Sequence, residues 1–213
     1  MFFATGLFMV DQLQKNGRVQ RFSFNPFFAD RVIEEMKTTS EKKEWDTKDY
    51  CSFAKDLIPF ESLSYCDFVF IPTVHNDHWW VYAFNFHSRE LHVLDPLGHR
   101  RGKRNKIDKA MAVQVDHVYK ILDKFGGVNS PPIKVVKQKL PIQLNGYDCG
   151  VLVLKYIELW NGMVDYDGKT MPEYNSDELQ AFCQEMVCNW FLDARNAERE
   201  NLLREFNFRG TTE

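Results

Sequence analysis

Five cysteines stand at positions 51, 66, 149, 183 and 188, and one of them has a setting that favours chemistry. Cys149 lies in Asn145-Gly146-Tyr147-Asp148-Cys149-Gly150, where a polar turn gives way to an apolar run reaching Trp160. If that run is helical, the thiol sits at the helix N-terminus, where free N–H groups and the positive end of the dipole favour the thiolate, the form that acts as a nucleophile. Glycines on its flanks let a substrate backbone come close. The bland alternative is a small buried residue at a helix start. Cys183 and Cys188 fit that alternative, the first on the apolar face of a C-terminal helix, and Cys51 and Cys66 have no context either way.

A nucleophilic thiol needs a proton partner that works near neutral pH, which points to histidine. Of six histidines, His78 heads an aromatic strand and is followed by two tryptophans, so a rigid element fixes it. His75 falls in the preceding loop and His99 in a basic loop, while His87, His92 and His117 read as structural or exposed. A His75/His78 metal pair lacks the further ligands that a zinc site requires, so no metal is predicted. Asp95 ends the strand that would pair with the His78 strand, which suits a group that orients an imidazole, although Asp-Pro is also an ordinary turn. Acyl transfer further requires donors for a developing oxyanion. The side-chain amide of Gln143, six residues before Cys149, and the Cys149 backbone N–H could provide them.

These side chains need a framework. Asp67 to Val74, Trp79 to Phe86 and Glu90 to Leu94 read as strands, with His87-Ser88-Arg89 as a tight hairpin. A helix is expected over 27 to 37 after Pro26. Another starts at Ile107, where Met111, Val115, Val118, Leu122 and Phe125 keep a helical period until Gly126-Gly127 stops it. Ile133 to Val136 suggests a further strand and Cys149 to Trp160 a mostly buried helix closed by Gly162. A last helix opens with Ser176 as N-cap and carries Leu179, Phe182, Cys183, Met186, Val187 and Trp190 on one face. The apolar N-terminus reads as a buried segment without the basic residues of a signal peptide, and Thr38 to Asp49 as charged and exposed. The sum is an α+β fold.

With 213 residues, 44% hydrophobic and 27% charged, the chain can bury about 70% of its unfolded surface in one core. A single domain over 1–213 is expected, with no repeat, long linker or membrane span. A net charge of −3 gives no general attraction to nucleic acid or anionic lipid. The uneven cysteines form neither a disulfide framework nor a zinc pattern and suit a reducing, intracellular setting. His99-Arg100-Arg101-Gly102-Lys103-Arg104-Asn105-Lys106 reads as a solvated basic loop or, less simply, as a nucleic-acid or nuclear-import patch, of which import fits the net negative charge better.

On His78-Trp79, on Leu94-Asp95-Pro96-Leu97 and above all on Gln143-Leu144-Asn145-Gly146-Tyr147-Asp148-Cys149-Gly150-Val151, the chain resembles the SUMO-protease, or ubiquitin-like-protein-specific protease, family of cysteine peptidases, and among them the diverged plant members. The strongest match runs from 67 to 160. The resemblance implies a papain-like α+β fold with the nucleophile helix packed on a mixed sheet. It implies His78 as general base, Asp95 as its orienting group, Gln143 as oxyanion donor and Cys149 as nucleophile. Trp79 would roof a passage for a C-terminal Gly-Gly, with Asp148 and Gly150 as further substrate-binding positions, while Trp80 and Tyr82 face the core. No cofactor is implied, and the partner is a ubiquitin-like modifier, SUMO first, with its conjugates in the nucleus or cytoplasm. One departure is visible: the family's usual Trp-Leu-Asn/Ser-Asp opening is not found before residue 67. A second reading is therefore an inactive or transposon-derived relative that binds a modifier without cleaving it.

Overall fold

The computed structural model describes residues 2–38, 45–54, 59–98, 104–122, 131–143 and 145–205. Its contacts divide the chain into two compact units, Met1–Glu173 and Tyr174–Glu213. The first unit is built on a five-stranded mixed sheet in the order β1-β2-β3-β4-β5. These strands are β1 (Arg21–Ser23), β2 (Phe68–His75), β3 (His78–Asn85), β4 (Glu90–Leu94) and β5 (Lys134–Lys137). The central three pair antiparallel and the two outer strands join parallel. Its helices are α1 (Phe2–Asn16), α2 (Phe27–Glu35), α3 (Thr47–Cys51), α4 (Asn105–Leu122) and α5 (Cys149–Leu159), with a 3-10 helix over Phe60–Tyr65.

Both sheet faces are covered, which explains why the strands read as nearly unbroken apolar runs. On one face Val69, Ile71, Trp80, Tyr82, Phe84, Leu91 and Val93 join a core with Phe28 and Val32 of α2 and with Met111, Val115 and Val118 of α4. Register fixes the alternation, since Ile71 faces Tyr82 and Tyr82 faces Val93 across the ladder. Phe68 meets the Trp160 ring at 5.0 Å and His92 meets it at 4.8 Å, beyond the C-terminus of α5. That helix buries Leu152, Val153, Tyr156 and Ile157. Its last turn is held by Arg21, whose guanidinium donates to the carbonyls of Ile157 (2.9 Å), Tyr156 (3.4 Å) and Trp160 (2.5 Å). Desolvation brings that guanidinium down to about 10.

Some expectations need correction. The N-terminal apolar segment is not one of them: it is buried at Ala4, Thr5 and Met9 as expected, and it forms the helix α1, with Gln12 accepting the Gln20 and Arg21 N–H groups. The stretch from Thr38 to Asp49 is not uniformly exposed. Trp45 is buried, its indole N–H donating to both Glu35 oxygens at 2.8 and 2.9 Å, while 39–44 lie outside the described residues. Phe125 and Gly126-Gly127, predicted to finish the helix over 107 to 125, also lie outside them.

In the second unit, α6 (Ser176–Leu192) is followed by α7 (Arg199–Glu205). The N-cap is Asn175 rather than Ser176: its side chain accepts the Glu178 N–H at 2.9 Å while Glu178 accepts the Asn175 N–H at 2.8 Å. This reciprocal box satisfies two free donors of the first turn. Leu179 is the one buried side chain of α6, so Cys183 and Cys188 are exposed rather than buried. A helical period shows which residues share a face but not whether that face is covered. No helix among the described residues is long and apolar enough to cross a membrane.

Candidate active site

A tight hairpin positions His78. The loop between β2 and β3 is Asn76-Asp77, both left-handed at φ 51° and 57°, the type I′ geometry that matches strand twist. It closes the His75–His78 pair and leaves His78 buried at the head of β3. Val81 pairs with Leu94 in the neighbouring ladder, which brings the start of β3 beside the residue that ends β4. His78 Nε2 and Asp95 Oδ1 are 2.8 Å apart, both residues buried. Asp95 Oδ1 also accepts the Leu97 N–H at 2.9 Å, and its carbonyl accepts the N–H of Gly98 at 3.0 Å. Gly98 takes φ 72°, a turn conformation that glycine adopts without a Cβ clash.

The Gln143 segment is stitched to this turn, because the Gln143 N–H donates to the Pro96 carbonyl at 2.8 Å. Buried Gln143 donates through Nε2 to the Asn145 carbonyl at 2.5 Å, and a primary amide keeps a second N–H. Asn145 organises the turn into α5. Its Oδ1 accepts the N–H groups of Tyr147 and Asp148 at 3.1 and 3.0 Å, and its Nδ2 donates to Asp148 Oδ2 at 2.5 Å. Asp148 thus occupies the N-cap position of α5 without a side-chain bond to the helix.

Cys149, the first residue of α5, is buried and its thiol is free of any disulfide. Burial is the largest influence on the thiol and opposes ionisation. The hydrogen bond and charge of His78, with the N–H groups of Trp79 and Gly150, outweigh it and draw the thiol below its ordinary range. The Trp79 N–H lies 3.5 Å from the sulfur. The Trp79 indole is half-buried and close over the helix start, since a methyl group at Gly150 would meet its Cδ1 at 3.8 Å. Trp80 and Tyr82 are buried in the core as the alternation predicts. Cys66 makes the contrast: desolvation pushes its thiol up to about 12.

The sequence residues His78, Trp79, Asp95, Gln143, Asp148, Cys149 and Gly150 therefore converge at one end of the sheet. Of the other histidines, His75 ends β2 opposite His78, His117 Nδ1 meets the Tyr50 hydroxyl at 2.9 Å, His92 Nδ1 meets Gln138 at 2.8 Å, His87 is exposed, and His99 lies outside the described residues. Two participants escaped the sequence reading. Asn145 was visible only as part of a motif, although Asn-Gly is a strong turn signal. Arg104 reads in the sequence as part of the basic loop, yet it is buried and its Nη1 is bound to Asp95 Oδ2. Of the rest of that loop, 99–103 lie outside the described residues.

A cysteine at a helix start, held beside an imidazole that is itself anchored to a carboxylate, defines a thiol-peptidase type of site. The family described as Ulp1 protease family, C-terminal catalytic domain, matches residues 4–187, and the chain belongs to it. Three Arabidopsis thaliana proteins that carry ubiquitin-like-specific protease names are 29% to 32% identical to it. Ubiquitin-like-specific protease 1A is 32% identical over 122 residues, covering 56% of this chain and 24% of that protein. Ubiquitin-like-specific protease ESD4 is 29% identical over 140 residues, covering 65% and 26%. The chain spans less than half the length of the curated relatives it matches. Among solved structures, the SUMO protease Ulp1 with its catalytic cysteine oxidised to a sulfinic acid aligns at TM-score 0.59 and 18% identity, over 90% of this chain and 76% of that one. The Ulp1 domain in complex with Smt3, the yeast ortholog of SUMO, aligns at 0.54 and 17%, over the same shares. The α+β fold is that of the Ulp1 proteases.

Proposed function

We propose that the chain is a cysteine peptidase that hydrolyses the peptide or isopeptide bond after the C-terminal glycine of a ubiquitin-like modifier, of SUMO type first. The observation that carries this reading is the line from Cys149 through His78 to Asp95, with the thiol drawn below its ordinary range despite burial. Family membership and the Smt3 complex of one structural neighbour add support. Because the family match crosses from the first unit into α6, we assign both units to one catalytic domain, acting in the nucleus or cytoplasm.

In this mechanism the Cys149 thiolate attacks the glycine carbonyl while His78 holds the proton. The carbonyl oxygen gains the charge, and the Gln143 amide and the Cys149 N–H donate to it. The C–N bond then breaks and the imidazolium proton passes to the leaving amine. Water, deprotonated by His78, attacks the thioester and frees the glycine carboxylate, restoring the thiolate–imidazolium pair. Trp79 roofs the passage, and Asp148 and Gly150 flank the substrate strand.

The test is a panel of ubiquitin-like modifiers carrying C-terminal vinyl sulfones, with any adduct located by mass spectrometry. Adduct on Cys149 with a SUMO-type modifier is expected, as is its loss in Cys149→Ser. Gln143→Ala should lower kcat by about 10²- to 10³-fold, the usual effect of removing one oxyanion donor. Adduct with ubiquitin alone would redirect the substrate assignment. Modifier binding without adduct, from folded protein, would overturn the enzymatic one.

A further inference from the structure

Asp95 holds His78 with one oxygen, so what holds the other matters. Oδ1 serves His78 Nε2 and the Leu97 N–H, and Oδ2 serves Arg104 Nη1. Arg104 immediately precedes α4 and is only 6% exposed, a place where a guanidinium persists only if paired. Its Nε lies 3.4 Å from Oδ1 of buried Asp108, and its guanidinium carbon is 5.7 Å from the Trp80 ring centre. Asp108 Oδ1 accepts the Tyr82 hydroxyl at 2.7 Å, while its Oδ2 is 3.9 Å from Lys137 Nζ. Among the described residues, the charged and titratable groups that face Arg104 are Asp95 after β4 and Asp108 on α4, and beyond them His78 and Tyr82 on β3 and Lys137 on β5.

We propose that Arg104 is a positioning residue of the active site, fixing the plane of Asp95 and so aiming the His78 ring at Cys149, while its charge tempers the pull of Asp95 on the imidazolium. This rests on reading Cys149, His78 and Asp95 as the catalytic groups. A carboxylate held by a single imidazole can swing about its Cβ–Cγ bond. One gripped on its far oxygen by a guanidinium, itself fixed to a second buried carboxylate, cannot. The charge has a separate effect. Without it Asp95 turns its full field on the ring, and the thiolate–imidazolium pair should survive to higher pH.

Those two consequences separate in an experiment on the intact chain. Steady-state hydrolysis of a SUMO-type C-terminal fluorogenic substrate is measured beside the pH dependence of Cys149 alkylation by iodoacetate, which needs no modifier and whose carboxylate is drawn in by the imidazolium, so that its rate falls when the ring loses its proton. Arg104→Gln should lower kcat by about 10- to 100-fold, the scale of a misplaced catalytic group, leave KM within about twofold, and move the alkaline limb of the alkylation profile upward. Arg104→Lys keeps the charge but grips at a point, so the limb should return to the wild-type position while kcat recovers only in part. Folded Arg104→Gln protein with wild-type kcat and an unmoved limb would overturn the proposal. So would losses in both variants that merely follow the folded fraction. Should Arg104→Gln not fold, Arg104→Lys decides alone: reduced kcat with an unmoved limb supports positioning, and full activity removes it. A wild-type chain that alkylates as an ion-paired thiolate yet hydrolyses no modifier would defeat the modifier reading and leave the Arg104 comparison standing.

Discussion

Cys149 shows how neighbours reverse the effect of burial. A buried thiol in apolar surroundings becomes a weaker acid, as Cys66 does at about 12, because the charged form loses its hydration. At Cys149 the same penalty is overridden by His78 and by backbone N–H groups from Trp79 and Gly150. The thiolate is the reactive form, so Cys149 alkylation should hold to lower pH than for an ordinary cysteine and fall as pH drops through its depressed value. His78→Ala removes the strongest favourable partner and should carry the curve upward. A curve unmoved by that substitution would show that the two side chains are not coupled. Cys66 should stay unlabelled in folded protein at neutral pH. Trp79 tests access at the same atom. Since its indole lies over the helix start, Trp79→Ala should speed alkylation by a small reagent while lowering kcat/KM about tenfold through loss of substrate alignment. A core tryptophan would instead give losses in both assays that track unfolding.

At the scale of elements, the type I′ turn at Asn76-Asp77 sets the register that makes His78 the first residue of β3. Asn and Asp tolerate left-handed backbone, whereas a β-branched side chain is disfavoured there. Asp77→Val should therefore destabilise the fold by about 1 to 3 kcal/mol, read as a lower urea midpoint, and Asp77→Gly should not. Equal midpoints for the two variants would show that the turn is unstrained. The turn was not legible as such in the sequence, although the flanking strands were, because apolar aromatic runs announce strands while Asn-Asp is a weaker hairpin signal than Asn-Gly. The α4 register was equally plain, with Met111, Val115 and Val118 all buried. Arg104 is not legible for a physical reason: a run of cations looks solvated until the carboxylates that bury one of them are found, and Asp95 and Asp108 belong to other contexts in the sequence. The short β1 and the 3-10 helix carry too few residues to show a period, and α6 shows a face but not its covering.

Over the whole molecule, α5 connects catalysis to stability, because one end carries Cys149 and the other is tied to the sheet. The tie is Arg21, with three carbonyl partners at the helix C-terminus and its charge 4.9 Å from the Phe70 ring centre. It follows the helix rule that cations belong at the C-terminal end, where carbonyls lack intrahelical partners. None of this was readable beforehand, since Arg21 and Ile157 meet only after β1 docks beside β2. The site motif was readable because Gln143 through Val151 is contiguous, whereas the tether joins residues 136 positions apart. Arg21→Met keeps the stem but removes the charged hydrogen bonds, each worth about 1.5 to 3 kcal/mol. The 3.4 Å contact is weak and the freed carbonyls can turn to water, so we expect a loss of about 2 to 4 kcal/mol rather than the sum of three such bonds, still a large share of the 5 to 15 kcal/mol that holds a typical domain together. The Tyr156 and Ile157 carbonyls lie seven and eight residues along α5 from Cys149, about 10 to 12 Å of helix, so the Cys149 alkylation profile of the remaining folded molecules should stay at the wild-type position. A shifted profile with an unchanged urea midpoint would mean that the far end of α5 tunes the nucleophile rather than anchoring the fold.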